Sequence, residues 1–285
     1  MTTLAEYVAD PAPAPSLSAS IAHLLLSRSP RHAWLAHPRL NPQWAPEEAE
    51  NMDIGTIAHA MLLEGDKSRV VVIDAPDWRT NLAKAGRDAA REIGKLPILR
   101  HKMEGVEAMV EAARKAIKNA PEIAKAFADG KPEQTLVWQD GEVYCRCRPD
   151  WLTDDGRLAI DYKTTQASAE PDAWGRGPML SVGYDVQAGF GLRGIKALRK
   201  PRDCSFVFMV QEVEPPYAVS FVGLSPIFED FVDRKVGAAL EVWKFCLQTD
   251  TWPSYPSRIA WADPPPWALT RWEEKHAVGG GVEDL

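Results

Sequence analysis

Residues 148–165 read RPDWLTDDGRLAIDYKTT, and no other run constrains the fold as tightly. Alternating apolar and polar positions on either side of Asp155-Gly156 predict a β-hairpin, because Asp-Gly adopts the left-handed backbone of a two-residue turn at little cost. Counting outward from that turn sets Asp150 opposite Asp161 and Arg148 opposite Lys163. Side-chain alternation then puts these four on one face, and Pro149, Trp151, Ile160 and Tyr162 on the other. Directly opposed residues bring their Cβ atoms to about 4.5–5.5 Å, where like charges destabilise the pair. Two readings resolve the conflict. Either Arg148 and Lys163 neutralise the aspartates at a solvated strand end, or a divalent cation bridges the carboxylates.

The hairpin belongs to a longer run of strands. QTLVW, EVYCRCRPDW and RLAIDYKT predict three consecutive strands joined by QDGE and TDDG, and SFVFMVQEV and YAVSFVGL predict two more around EPP. Helical periodicity surrounds them. Ser16 to Ser20 supply capping chemistry before IAHLLL. Ile54, Ile57, Ala58, Met61 and Leu62 form the buried stripe of a second helix, capped by Asn51 or Asp53, which carries Gly55 and His59. An amphipathic helix follows over about residues 99–129, interrupted near Pro121. Helical pattern resumes from Pro178 to about Arg199, and a closing helix near residues 227–247 turns Ile227, Phe231, Val232, Val236, Leu240 and Trp243 one way. The order predicts an α/β (α+β) chain with a central mixed β-sheet flanked by helices. Its expected organisation is a flexible Ala/Pro-rich arm (1–15), one domain (16–270) and an irregular, mobile tail (271–285).

Composition narrows the partners. At 285 residues and 45% apolar content the chain can bury a large core, while 40 acidic against 33 basic residues give a net charge of −7, which disfavours a non-specific nucleic-acid coat protein. Basic patches persist locally, at Arg28 and Arg31 and through Arg193, Lys196 and Arg199, and such runs are usually solvated faces. No apolar run is long enough for a membrane helix, and the N-terminus lacks the pattern of a secretory signal, so a cytoplasmic protein is expected. The four cysteines do not suggest a disulfide scaffold. Cys145 and Cys147 fall on a predicted strand while Cys204 and Cys246 stand alone, and no iron–sulfur cluster is expected.

In order, GTIAH, EQTLVW, CRCRPDW, IDYKTT and YDVQAGF resemble the PD-(D/E)XK nuclease superfamily, most nearly the RecE-type exonucleases of phages and prophages, and FVFMVQEVEPPYAV, WPSY and PPPW extend the resemblance along nearly the whole chain. Any one of these motifs is weak; the ordered set is specific. The resemblance implies a restriction-endonuclease-like core in which His59, Asp150, Asp161 and the backbone carbonyl of Tyr162 hold metal, with Lys163 and Gln187 completing a catalytic set with Asp150 and Asp161. It implies Mg²⁺, with Mn²⁺ as a substitute, and double-stranded DNA ends resected 5′-to-3′ for a single-strand annealing recombinase by a ring-shaped homo-oligomer. A structure- or sequence-specific endonuclease and a non-catalytic DNA-binding module are the alternatives. Arg28, Ser29, Arg148, Arg193 and Lys196 are candidate DNA contacts, and Glu133 stands where relatives also carry an acid. One departure stands out. Relatives commonly have a tyrosine four residues after the glutamine, where this chain has Gly191, and Gly189, Gly191 and Gly194 each weaken a helix by about 1 kcal/mol relative to alanine. They imply close packing, close approach to DNA, or fraying.

Overall fold

The computed structural model describes residues 2–45 and 54–277. In chain order its elements are α1 (Leu4–Val8), β1 (Leu17–Ser18), α2 (Ala19–Ser27), α3 (Pro30–Leu35), α4 (Ile54–His59), β2 (Val70–Ile73), α5 (Asn81–Glu92), β3 (Leu96–Leu99), α6 (Arg100–Asn119) and α7 (Pro121–Ala128). There follow β4 (Gly130–Pro132), β5 (Leu136–Asp140), β6 (Val143–Cys147), β7 (Trp151–Thr153), β8 (Leu158–Thr165), α8 (Pro171–Arg176), α9 (Pro178–Ser181), α10 (Tyr184–Arg199), β9 (Ser205–Glu212), β10 (Val219–Gly223), α11 (Pro226–Thr249) and α12 (Pro266–Ala277). The mixed α/β expectation holds. The main sheet runs β10-β9-β8-β7-β4, with β8 and β9 parallel and the other neighbours antiparallel. A second sheet runs β1-β6-β5, and β2 pairs with β3.

The hairpin keeps the register that its sequence predicts: Trp151 pairs with Ile160 and Leu152 with Ala159, which aligns Asp150 with Asp161. Its turn is wider than two residues. Gly156, at φ +70°, donates its amide to Thr153 O at 2.9 Å, and the amide of Leu158 bonds Thr153 Oγ1 at 3.0 Å. The strand expected to run unbroken from residue 142 to 151 is instead cut in two. Pro149 has no N–H to give to a ladder, and the chain crosses there from β6 in the second sheet to β7 in the main one. Arg148 is therefore not paired across from Lys163.

Alternation along β8 divides the core. Ala159 packs in a cluster with Phe206, Phe208, Phe190 and Trp243, and Ile160 and Tyr162 pack in another with Ile57, Met109 and Met209. Each fully buried aromatic here contributes about 1.5–3 kcal/mol from removal of its surface from water. The glycines of α10 permit this packing. A Cβ at Gly191 would lie 2.4 Å from Phe206 Cε2, one at Gly194 2.8 Å from Trp138 Cζ3, and one at Gly189 2.9 Å from Val236 Cγ2. Close packing, among the three readings of these glycines, is what the structure contains.

Two helices depart from expectation. In α11, Val232, Val236, Leu240 and Trp243 are buried as expected, together with Ala239 and Cys246, but Ile227 is 84% and Phe231 41% exposed. At roughly 100° per residue Ile227 stands about 140° round the helix from Val232, too far to share its face. After α4 the chain widens into a π-helical turn, Ala60–Glu64, which buries Leu63 rather than the expected Leu62. The expected caps Asn51 and Asp53 lie outside the described residues.

The N-terminal segment is tied down rather than free. A capping box between Thr3 and Glu6 starts α1. Asp10 is buried, accepting from Ser16 Oγ at 2.6 Å, with Arg146 Nη1 at 3.3 Å and His37 Nε2 at 3.4 Å. Ser18 caps α2 through the Ile21 amide. At the other end the chain divides into two compact units at Pro253–Ser254, earlier than the expected boundary at residue 270. The second unit contains α12, begun by Pro266 as a first-turn proline favours, where an irregular tail was expected.

Asp10 yields a pH prediction. Burial alone raises its pKa, but hydrogen bonds from His37 and Ser16 and the charge of Arg146 outweigh it and hold the carboxyl at about 2, below the ordinary 3.8. A depressed carboxylate stabilises the fold above its unfolded pKa and loses that contribution as pH falls through the folded one. Denaturant unfolding between about pH 5 and about pH 2 is expected to show this loss, and Asp10→Asn to flatten it.

Candidate active site

The site is assembled where β7 stops. Because the β7–β8 ladder ends at Trp151–Ile160, the amide of Tyr162 has no strand partner there, and the Asp150 carboxylate takes it, Oδ2 accepting at 2.7 Å. Asp150 thus lies at the sheet edge rather than on the Asp161 face. Asp161 points into the α10 side of β8 and is 0% exposed; its Oδ2 accepts from Gln187 Nε2 at 2.6 Å and its Oδ1 is paired with the Lys163 ammonium.

His59 arrives from the other face. Its ring stacks on Tyr162 with centroids 6.3 Å apart, and Nε2 lies 3.2 Å from Asp150 Oδ2 and 3.6 Å from Glu133 Oε1. Gly55 permits that approach: a Cβ there would stand 2.3 Å from Thr164 Oγ1 on β8. The Gly-x-x-x-His spacing therefore has a steric meaning, a bare helix turn against the strand and an imidazole one turn later.

Glu133, between β4 and β5, holds a left-handed backbone at φ +55°, a conformation costing a non-glycine residue about 1 kcal/mol or more and concentrated at functional positions. Its amide bonds Asp150 O at 2.9 Å, and its Oε2 accepts from Arg148 Nε at 2.5 Å. Arg148 is further fixed by Thr135 Oγ1 at 2.7 Å and Thr2 O at 2.8 Å. Glu64 was not foreseen at all. It follows His59 by five residues, a spacing that an α-helix does not align, and the π turn brings it round so that ligand atoms of His59, Glu64 and Glu133 lie within 4.8 Å of one another.

These groups line one recess of about 980 Å³, shared by His59, Glu133, Arg148, Asp150 and Lys163 and walled on one side by Thr3, Leu4 and Tyr7. Other candidates lie elsewhere. Ser29 is buried and bonded to His32, and Arg193 is paired with Asp140 and Asp233 and lines, with Lys196, a separate recess of about 300 Å³. Arg28 is exposed and outside both. The Tyr162 hydroxyl is committed to Gln211, which in turn bonds Met109 O at 2.9 Å.

The electrostatics are those of a crowded acidic centre. Burial raises Asp161 well above the usual carboxylate range, Asp150 adds to the rise, and Lys163 opposes it. Burial also presses on Asp150, but hydrogen bonding to His59 and the charge of Lys163 lower it. His59 is lowered by burial and, more strongly in sum, raised by Asp150, Glu133 and Asp161. The cations are distributed unevenly. Arg69 pairs with Glu64, Arg148 with Glu133 and Lys163 with Asp161, whereas Asp150 has no Lys or Arg within ion-pair distance among the described residues. Glu64 and Glu133, whose oxygens lie within 4.8 Å of the His59 ring nitrogen, together with Asp150 at 3.2 Å from that imidazole, are a donor set suited to a hard divalent cation.

A family model described as a PDDEXK-like domain of unknown function (DUF3799) matches residues 24–263. No curated protein matches the sequence. Among solved structures, a protein provisionally described as an exonuclease from Eubacterium rectale superposes with a TM-score of 0.61 at 11% identity, covering 95% of this chain and 98% of its own. A phage-related exonuclease from Haemophilus somnus (TM-score 0.30, 12% identity, 60% of this chain and 85% of that one) superposes more weakly. So does an alkaline exonuclease from Laribacter hongkongensis (0.30, 13%, 60% and 84%). At such identity the first likeness is one of fold.

The Gly55 contact is testable without any assay of function. Gly55→Ala is expected to destabilise the protein by about 1–3 kcal/mol through overpacking on Thr164. Thr164→Ala in the same chain removes the nearest clashing atom and should recover much of the loss in urea unfolding.

Proposed function

The chain belongs to the PDDEXK-like domain family, and from that premise we propose that it is a divalent-metal-dependent deoxyribonuclease acting on the ends of linear duplex DNA. The observation that carries this reading is the grouping of Asp150, which accepts from the Tyr162 amide and lies 3.2 Å from His59 Nε2, with buried Asp161 and its ion-pair partner Lys163 on the adjoining strand β8. His59, Asp150, Asp161 and the carbonyl of Tyr162 would hold the ion; that carbonyl leaves the strand on the same side as the amide already turned to Asp150. When bound, Mg²⁺ or Mn²⁺ supplies Lewis acidity to the phosphoryl group and lowers the pKa of the attacking water.

The chain's own groups do the rest. Burial works against the charge of Lys163, but Asp161 and Asp150 outweigh that effect and raise its pKa above the ordinary lysine value. Its ammonium can orient the nucleophilic water and donate to phosphate oxygens as charge develops. Gln187 fixes the Asp161 carboxylate in one orientation. Arg148, held rigid by Glu133, Thr135 and Thr2, offers a guanidinium at the wall of the recess for a neighbouring phosphate. No covalent nucleophile is required. The polarity, 5′-to-3′, and a role in supplying single strands to an annealing recombinase rest on the sequence resemblance.

The experiment compares blunt linear duplex with covalently closed circles in Mg²⁺, for the parent, Asp161→Ala and Lys163→Ala. The expected result is digestion of the linear form only, reduced by about 10²–10³-fold in either variant and abolished by EDTA. Cleaved circles would move the assignment to an endonuclease, and intact linear DNA would remove the nuclease reading. End labels on each strand read the polarity directly.

A further inference from the structure

The first turn of α10 presents two side chains to β8. Gln187 bonds Asp161, and three residues earlier Tyr184 turns its ring to Lys163, whose Nζ lies 5.1 Å from the ring centroid. The spacings match. Tyr184 and Gln187 are about 4.5 Å apart along a helix axis, Asp161 and Lys163 about 6.6 Å apart on one face of a strand, and the side chains close the difference.

The ring is itself fixed. Tyr184 stacks on Trp174 at 5.5 Å and 12°, and both contact Phe208, with centroids at 5.9 and 5.2 Å. Trp174 is 1% exposed, so the stack is anchored in the core, whereas Tyr184 reaches the recess. Helix α10 begins at Gly183, at φ +86°, where a Cβ would meet His23 Nδ1 at 2.3 Å, and this close contact sets where the first turn lies.

We propose that Tyr184 is a positioning residue: the face of its ring, backed by Trp174, holds the Lys163 ammonium at the mouth of the recess. A lysine on a four-carbon stem has many rotamers, and an ion pair to Asp161 sets a distance without setting a direction. A ring face within about 6 Å adds the directional constraint. The ring, and not the hydroxyl, does this work. That the ammonium so held assists phosphodiester hydrolysis rests on the nuclease reading; that the ring holds it does not.

The test therefore has two arms. In the first, ¹⁵N-lysine-labelled protein is examined for the Lys163 ammonium resonance, assigned by its disappearance in Lys163→Arg. The parent and Tyr184→Phe are expected to show it shifted upfield by the ring, and Tyr184→Leu to lose the shift while melting cooperatively by circular dichroism. In the second arm, kcat on linear duplex is expected to fall about tenfold in Tyr184→Leu with KM little changed, and Tyr184→Phe to restore it. A parent lacking the ring-shifted resonance, a Tyr184→Leu spectrum matching the parent's, or a Tyr184→Phe protein behaving like Tyr184→Leu would each overturn the proposal. A parent that cleaves no DNA sinks the nuclease reading, and the first arm still decides the role of Tyr184.

Discussion

The closeness of two carboxylates, Asp150 just before β7 and Asp161 on β8, governs the other features of the site. Two carboxylates held close together cost stability unless the surroundings supply positive charge and hydrogen bonds. Here Asp161 is sealed under α10 with Lys163 and Gln187, and Asp150 is held at the sheet edge by the Tyr162 amide and His59. Sealing Asp161 requires α10 to lie close on the strands, which Gly191 permits against Phe206 of β9 and Gly194 against Trp138 of β5, while Gly189 admits Val236 of α11 on the helix's other side. Bringing His59 to Asp150 requires α4 to lie equally close on the opposite face, which Gly55 permits. The glycines and the charges are thus parts of one arrangement, and bulk added at either helix would reach the acidic pair through the backbone.

Much of this could be read from the sequence because it depends on local periodicity. Alternation through RLAIDYKT placed Asp161 and Lys163 on one face of β8 and Ile160 and Tyr162 on the other, and the register of β7 against β8 is the expected one even though the turn is wider than two residues. What escaped depended on events that periodicity does not encode. The break at Pro149 moved Arg148 away from Lys163 and into the company of Glu133. The π turn after His59 rotated Glu64 into the recess and Leu63 into the core. The N-terminal segment reads as Ala/Pro-rich linker, yet Asp10 anchors it through side chains as distant in sequence as Arg146.

Fold and chemistry stand on different supports. The family match over residues 24–263 and the superposition with the Eubacterium rectale protein concern architecture. The chemistry stands on the residues: Asp150, which among the described residues has an imidazole rather than a Lys or Arg beside it, and a lysine flanked by an aspartate and an aromatic face. Cys145 and Cys147, adjacent in pattern to these motifs, are core residues whose thiols burial raises far from the reactive range.

Whether the proposed cradle of Asp150 and Asp161 takes one divalent cation is read by equilibrium titration with Mn²⁺, followed by electron paramagnetic resonance of the free ion. Saturable binding by the parent chain is expected, with affinity lower by about tenfold or more in both Asp150→Asn and Asp161→Asn. Equal affinity in all three proteins, or no saturable binding by the parent, would contradict the proposed cradle.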